Sequence, residues 1–211
     1  MTDPAPDTGP WQPGTDMASR FRGYLPVVVD LETDGFDAKT HAILEMAMVL
    51  VDFDGGRLAL KESWCQAVAP YAGSRMDPAS LKVTGIDPED PDRGAIDEAE
   101  AFRELFRRVR KAMKEAGCTR AILVAHNAAF DQQFMLEAFE RCSLNRSPFH
   151  PFSFIDTASL AAVAFGHTVL SESCARAGIE FEASRAHSAL YDAEKAAELF
   201  CAVVNGWQAG R

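Results

Sequence analysis

The chain carries acidic residues in three short clusters, of which the first is Asp30-Leu31-Glu32. This cluster ends the apolar run Pro26-Val27-Val28-Val29, which indicates a buried strand. Residues two apart on a strand point to the same face, so both carboxylates would share one face. Two buried like charges are costly unless a cation compensates them. The pattern therefore fits a metal site, although a strand end that opens into solvent would tolerate the same acids.

The two other clusters each pair a histidine with an aspartate. His126-Asn127-Ala128-Ala129-Phe130-Asp131 follows an apolar strand and opens a predicted helix, and His187-Ser188-Ala189-Leu190-Tyr191-Asp192 opens another. Taken singly, each has an ordinary interpretation, because polar residues cap helices and aspartates favour the positive end of the helix dipole. Taken together, four carboxylates at strand ends and helix starts match two hard divalent cations, which prefer oxygen ligands.

Alternating strands and helices would position these clusters. Apolar and β-branched runs predict five strands, and the turn Asp54-Gly55-Gly56-Arg57 joins the second and third as a hairpin. The predicted strands are 26–32, 43–51, 63–69, 122–124 and 152–155. A helix is predicted from a cap at Asp97 to a stop at Gly117. Further helices are predicted over 128–141, in one or two segments up to 177, and over 188–204. Residues 87–100 are predicted to form a loop. This order predicts an α/β domain with a mixed sheet.

The composition is that of a folded globular chain. Of 211 residues, 47% are apolar and 25% are charged, and the formal net charge is −10. This balance excludes wholesale disorder, and the acidity argues against a protein that simply coats nucleic acid. Five cysteines without a CxxC pair argue against a disulfide framework or zinc ribbon and favour a reducing compartment. Without a signal-peptide pattern or a membrane-length apolar run, we expect a cytoplasmic protein with no membrane partner.

Residues 1–19 differ in composition from the rest of the chain. They are rich in proline, glycine and short polar residues and carry three aspartates but no basic residue. Such a segment buries little apolar surface. We therefore predict a flexible tail at 1–19, followed by a single domain at 20–211.

The ordered series D-x-E, H-N-x-x-F-D and H-x-x-x-x-D resembles the signature of the DEDD exonuclease superfamily, in its histidine-containing DEDDh branch. The resemblance implies a ribonuclease H-like fold, a mixed five-stranded sheet flanked by helices, and phosphodiester hydrolysis assisted by two metal ions. It implies that Asp30 bridges the metals, Glu32 and Asp192 complete the coordination, and Asp131 helps directly or through water. Magnesium is the implied ion, with manganese possible. His187 is the implied general base, since an imidazole titrates near neutral pH.

Longer stretches are similar to one family of this branch and cover most of residues 20–207. They are FRGYLPVVVDLET, TGIDPEDPDRGA, AILVAHNAAFD, SPFHPF, FIDTASLA and AHSALYDAEKAAELFCAVVN. The resemblance implies a homodimeric 3′-to-5′ exoribonuclease that trims the 3′ ends of tRNA and other stable RNAs, ribosomal RNA precursors among them. It also implies action on single-stranded DNA and release of nucleoside 5′-monophosphates.

The same resemblance assigns rings and cations to the bound strand. It implies base stacking on Phe36, Phe130 and Phe152, an interaction that proteins use to hold single strands. It also implies a basic patch that grips the RNA backbone at the active site of the partner subunit. The basic patch comprises Arg20, Arg22, Lys114, Arg120 and Arg146. Each of these residues alone also fits an ordinary role, as a core phenylalanine or a solvated cation.

The chain departs from the family pattern at two positions that the family uses for the terminal bases. Val83 stands where the family has a fourth stacking ring, and Ala79 where it has a carboxylate implicated in reading terminal bases. Neither side chain can stack on a base or accept a hydrogen bond. We therefore expect weaker discrimination against a 3′-terminal cytosine than the family shows.

Two alternatives stay open on the sequence alone. The first is another DEDDh exonuclease, such as a DNA proofreading exonuclease or an oligoribonuclease, which the long matched stretches disfavour. The second is a non-catalytic RNA-binding module on the same fold. All five catalytic residue types are present, which argues against the second.

Overall fold

A mixed five-stranded sheet forms the centre of the molecule, as predicted. A computed structural model describes residues 14–209, and its strands lie in the order β3-β2-β1-β4-β5. The strands are β1 (Tyr24–Thr33), β2 (Ile43–Asp54), β3 (Arg57–Ala67), β4 (Arg120–Ala125) and β5 (Phe149–Asp156). The first three are antiparallel neighbours, joined between β2 and β3 by the predicted hairpin turn. β4 and β5 run parallel to β1.

β1 is the middle strand because its apolar run suits a position covered on both faces. Val27, Val28 and Val29 have no solvent exposure at all. β3, at one edge, is mostly exposed in its first part and half-buried in its last four residues, so its apolar signal is weak and it begins earlier than predicted.

Helices flank the sheet. In the described part of the chain the α-helices are α1 (Pro78–Thr84), α2 (Glu98–Glu115), α3 (Ala128–Arg141), α4 (Thr157–Phe165), α5 (Leu170–Ala177) and α6 (Ala189–Ala209). α2 buries Phe102, Leu105, Phe106 and Val109 on one face, and the predicted cap Asp97 accepts the N–H groups of the first turn, both as the sequence predicted. The second helix segment before residue 177 is also confirmed, as α4 and α5.

The sheet topology brings the acidic clusters together at the carboxyl ends of the parallel strands. β1 and β4 are parallel neighbours, so their carboxyl ends lie side by side. Asp30 and Glu32 lie near the end of β1, and Asp131 lies in the first turn of α3, which follows β4. α6 packs across β1, β2 and β3 and begins with Asp192 in its first turn. Ligands bind at this kind of strand edge in open α/β sheets.

The N-terminal range predicted as a tail divides into two parts. Residues 1–13 lie outside the described residues, and the tail stays a prediction there. Met17 is buried in the hydrophobic core, and Asp16 accepts the N–H of Ser19 at 2.8 Å in the exposed turn around it. Core packing therefore begins before residue 20. Within residues 14–209, no helix is both long enough and apolar enough to span a membrane.

Candidate active site

Four carboxylates converge at the carboxyl edge of β1. Asp131 is 3% exposed and Glu32 is 8% exposed, while Asp30 and Asp192 are half-buried. Burial raises the pKa of Asp30 well above its usual value, and the charges of Asp131, Glu32 and Asp192 raise it further. The structure thus brings together all four acids that the three clusters supply.

Burial and mutual repulsion disfavour the ionised forms of these four acids. Burial, followed by the charges of Asp192 and Glu45, raises the pKa of Glu32 to about 8. Burial also raises the pKa of Asp131 to about 8 and raises that of Asp192. At neutral pH a cluster of this kind becomes fully charged only when a cation compensates it.

Asp192 leaves one carboxylate oxygen for a ligand. Its Oδ2 accepts the backbone N–H of His187 at 2.9 Å, but its Oδ1 is buried without a hydrogen-bond partner among residues 14–209. Ligand atoms of Glu32, His187 and Asp192 lie within 4.8 Å of one another. A buried oxygen without a partner is costly unless something binds it. Together with the oxygen-rich surroundings, this fits a hard divalent cation.

His187 stands at the mouth of this cluster. Its residue is exposed and its backbone has a φ of 65°. Left-handed backbone of this kind is uncommon for a residue with a side chain and clusters at functional sites. The hydrogen bond from its N–H to Asp192 stabilises the conformation.

The turn before α3 depends on a residue that the sequence analysis did not single out. Oδ1 of Asp156 accepts the N–H groups of Asn127 at 2.9 Å and Ala128 at 3.2 Å. His126 bonds to Thr157 Oγ1 at 2.9 Å through Nδ1. Asp156 also caps α4 by accepting the N–H groups of Ala158 and Ser159, as its place between a strand and a helix suggests, but its bonds to the distant turn have no local sequence signal.

A groove of about 500 Å³ leads away from the carboxylates. Its lining includes Glu32 and His187 together with Phe36, Phe130, Ala79 and Val83. The rings of Phe36 and Phe130 meet edge to face with centroids 6.4 Å apart, and Phe36 is 78% exposed. Two of the three predicted stacking rings therefore lie beside the acidic cluster, and so do the two positions that depart from the family pattern.

The third predicted ring lies elsewhere on the surface. Phe152 is 79% exposed on β5, and its ring contacts that of His150 at 5.1 Å. It does not line the groove. Its proposed contact with a base therefore remains a prediction.

The basic residues gather at the opposite end of the strands, where β1, β4 and β5 begin. Arg20 and Arg22 precede β1, and Arg120 begins β4 opposite Tyr24. Arg146 lies just before β5, and Lys114 is exposed in the last turn of α2. At about 3.3 Å per strand residue, the start of β1 is about 20 Å from Asp30. Within this chain the basic patch therefore lies far from the four carboxylates.

Comparison with known proteins identifies the family. A family model described as an exonuclease, RNase_T, matches residues 27–200. Ribonuclease T of Shewanella putrefaciens is 53% identical over 193 residues, which cover 91% of this chain and 86% of that protein. The chain belongs to the ribonuclease T family.

Ribonuclease T of Escherichia coli is 51% identical over 195 residues, which cover 92% of this chain and 91% of that protein. Like its ribonuclease T relatives, the chain is a 3′-to-5′ exonuclease, and hydrolysis of RNA is the activity of the family. The family depends on divalent metal ions, in agreement with the clustered acids. The resemblance noted from the motifs is thereby confirmed.

A solved structure supports the fold assignment. The nuclease domain of 3′hExo, a DEDDh family member bound to rAMP, superposes with a TM-score of 0.64 at 20% identity, covering 86% of this chain and 92% of that one. The ribonuclease H-like fold predicted from the motifs is confirmed.

Proposed function

We propose that this exonuclease trims the 3′ ends of tRNA and other stable RNAs, including ribosomal RNA precursors, and also acts on single-stranded DNA. The observation that carries the proposal is the groove that Phe36 and Phe130 line together with His187 and with Glu32 of the acidic cluster. A groove of about 500 Å³ suits the last nucleotides of a single strand rather than a duplex. The sequence relationship to ribonuclease T supports the choice of RNA.

Asp30, Glu32, Asp131 and Asp192 are the proposed ligands of two magnesium ions, for which manganese can substitute. Two such cations, when bound, supply the positive charge that activates water and stabilises the leaving 3′ oxygen. The unpartnered Oδ1 of Asp192 and the raised pKa values of its neighbours support this ligand set. The protein's own contribution is to hold the four carboxylates close together before any cation binds.

His187 is the proposed general base. Its ring is exposed at the mouth of the cluster, where it can meet a water molecule and pass the proton to solvent. The bond from its own N–H to Asp192 fixes the backbone that carries the ring. Attack by water at phosphorus would release a nucleoside 5′-monophosphate and leave a new 3′ hydroxyl.

Phe36 and Phe130 are the proposed stacking rings for the terminal bases, with Phe152 as a third contact farther along the strand. Base stacking contributes about 1–3 kcal/mol per base and tolerates any sequence. Phe36 packs against Phe130 and is still 78% exposed, which favours its use as a platform.

We propose a homodimer in which the basic patch of one subunit serves the active site of its partner. The separation of about 20 Å between the start of β1 and Asp30 supports this arrangement, because one subunit cannot easily present both to the same nucleotides. Two-fold symmetry would place two such composite sites in each dimer. The five free cysteines support a reducing compartment, and we propose the cytoplasm.

Product analysis on a tRNA with an intact 3′ terminus, in magnesium, tests this function directly. We expect stepwise loss of the terminal nucleotides as 5′-monophosphates, and no products with Asp131→Ala. A mismatched DNA primer and a dinucleotide serve as comparison substrates. Preference for either of these over the tRNA, or internal cleavage of the tRNA, would contradict the proposal.

A further inference from the structure

Glu45 lies beside the acidic cluster, yet none of the three sequence clusters contains it. It stands on β2 directly opposite Glu32 of β1 and is half-buried. Like charges directly opposite each other in a sheet are destabilising. The charge of Glu45 also raises the pKa of both Asp30 and Glu32. A glutamate at this position therefore needs a compensating role.

The compensation lies at the start of α6. Oε2 of Glu45 accepts the backbone N–H of Ala189, the first residue of that helix, at 2.9 Å. Ala189 is fully buried, and the first N–H groups of a helix have no partner within the helix itself. An acceptor from β2 thus replaces the usual cap from a neighbouring residue in the chain.

This bond from β2 leaves Asp192 free for another task. Asp192 lies in the first turn of α6, where an acidic side chain favours the positive end of the helix dipole. Its Oδ2 instead accepts the N–H of His187, and its Oδ1 has no hydrogen-bond partner among the described residues. Since Glu45 supplies the acceptor for Ala189, neither oxygen of Asp192 is needed there, and its Oδ1 stays available to a ligand.

We propose that Glu45 is a positioning residue that fixes the start of α6 against the central sheet through the Ala189 N–H. It thereby holds His187 and Asp192 within ligand distance of Glu32. The inference rests on the proposed active site. Glu45 acts through its side-chain length, which allows the hydrogen bond to Ala189. This bond offsets the unfavourable effect of a negative charge opposite Glu32.

Two conservative variants separate the effect of the side-chain length of Glu45 from that of its charge. Glu45→Gln keeps an oxygen acceptor at the same distance but removes the charge, and Glu45→Asp keeps the charge but is one methylene too short. We expect Glu45→Asp to lower kcat about tenfold or more and to raise the Mn²⁺ concentration at half-saturation about tenfold, as partners of metal ligands commonly do. Glu45→Gln should stay within about threefold of the wild type in both.

Asn205→Ala is the matched control for loss of helix docking. Asn205 is buried near the other end of α6 and makes two hydrogen bonds to the backbone of Leu58 on β3. Its loss should lower the Tm without moving the Mn²⁺ half-saturation, measured calorimetrically with the metal alone. The KM for a short oligonucleotide should change little in any of these variants, because Glu45 does not line the groove.

The outcomes distinguish the inference from the function on which it rests. Equal or greater loss in Glu45→Gln than in Glu45→Asp would overturn it, because charge and not reach would then matter. Wild-type behaviour of Glu45→Asp would overturn it as well, and so would a shift of Mn²⁺ half-saturation in Asn205→Ala. Full activity of Asp30→Asn would instead refute the proposed active site itself.

Discussion

The backbone N–H of His187 donates to Oδ2 of Asp192 at 2.9 Å, and the other oxygen of that carboxylate is buried without a partner in the described residues. One side chain thus serves two purposes, since it holds the turn that carries the histidine ring and offers an oxygen to the acidic cluster. The histidine and the aspartate act as a unit, although only the aspartate is proposed as a metal ligand.

Removal of the His187 ring separates catalysis from metal binding. His187→Ala keeps the backbone N–H that bonds to Asp192, so Mn²⁺ binding should stay close to that of the wild type. We expect kcat at neutral pH to fall about 10²–10⁴-fold, the usual contribution of a general base. Asp30→Asn is the comparison, because it should lose both metal binding and cleavage. Comparable turnover in His187→Ala would refute the base assignment, and loss of Mn²⁺ binding would make the histidine a ligand.

The raised pKa values predict an unusual pH dependence of stability in the absence of metal. Glu32 and Asp131 have a pKa of about 8 in the native state, against about 4 in the unfolded chain. Between these values the native state holds more protons than the unfolded state, so the free energy of unfolding falls as the pH rises. In EDTA we expect a lower Tm at about pH 8.5 than at about pH 6.

Magnesium should reverse this trend, because cation binding requires the ionised carboxylates and releases their protons. The Tm gain on adding MgCl₂ should therefore grow with pH. Asp131→Asn removes one of the two groups and should flatten the profile in EDTA. A Tm in EDTA that rises steadily from about pH 6 to about pH 8.5 would show that these carboxyls are not protonated in the native state.

Much of the fold could be predicted because its strongest signals are local. The fully buried run Val27–Val29 marked the central strand, and the helix over Ala128–Arg141 was predicted with its observed bounds. The short helix α1 was not predicted. It buries only Ser80, and its N-terminus is held by the bond from the Asp77 N–H to the carbonyl of Asp34, which no local pattern reveals.

The site was predictable for a related reason. Parallel strands end at one edge, so acids placed at strand ends and helix starts must meet there. Asp156 and Glu45 were missed because their partners are distant in the chain: Oδ1 of Asp156 reaches the turn at Asn127, and Glu45 reaches Ala189. Such contacts exist only once the sheet register and helix packing are fixed.

The groove wall predicts weak selection of the terminal base. Val83 is 58% exposed on α1 and shares the groove with Phe36 and Phe130. We expect kcat/KM for single strands ending in A and in C to differ by less than about tenfold, because valine adds no stacking energy. Val83→Phe, combined with Ala79→Glu, should widen that ratio about tenfold, because bases differ in stacking strength and the added carboxylate can accept a hydrogen bond from the terminal base.

Val163→Phe is the matched control for this change. Val163 is 85% exposed on α4 and does not line the groove, so the same substitution there should leave the ratio unchanged. A wild-type enzyme that already rejects a terminal cytosine strongly would contradict the expectation, since discrimination would then come from residues other than those at positions 79 and 83.

Reversal of charge in the basic patch should weaken the binding of tRNA but spare the cleavage of a dinucleotide. Arg20→Glu with Arg22→Glu should weaken tRNA binding most at low salt and reduce the salt dependence of the binding constant, because fewer phosphates are neutralised. Cleavage of a dinucleotide should be spared, since so short a substrate does not reach the edge of the sheet where β1 begins. Equal loss on both substrates would mean that the substitutions disturb the active site itself.

Mixed dimers decide whether the patch acts within a subunit or across the dimer. Subunits with Asp30→Asn keep an intact patch, and subunits with Arg20→Glu and Arg22→Glu keep intact carboxylates. If the patch serves the partner, each mixed dimer regains one complete site, and random pairing of equal amounts restores about a quarter of wild-type activity on tRNA. If it serves its own subunit, mixing restores nothing beyond the sum of the two variants. Differently tagged subunits, co-expressed and purified through both tags, isolate the mixed dimer, whose activity should be about half that of the wild type.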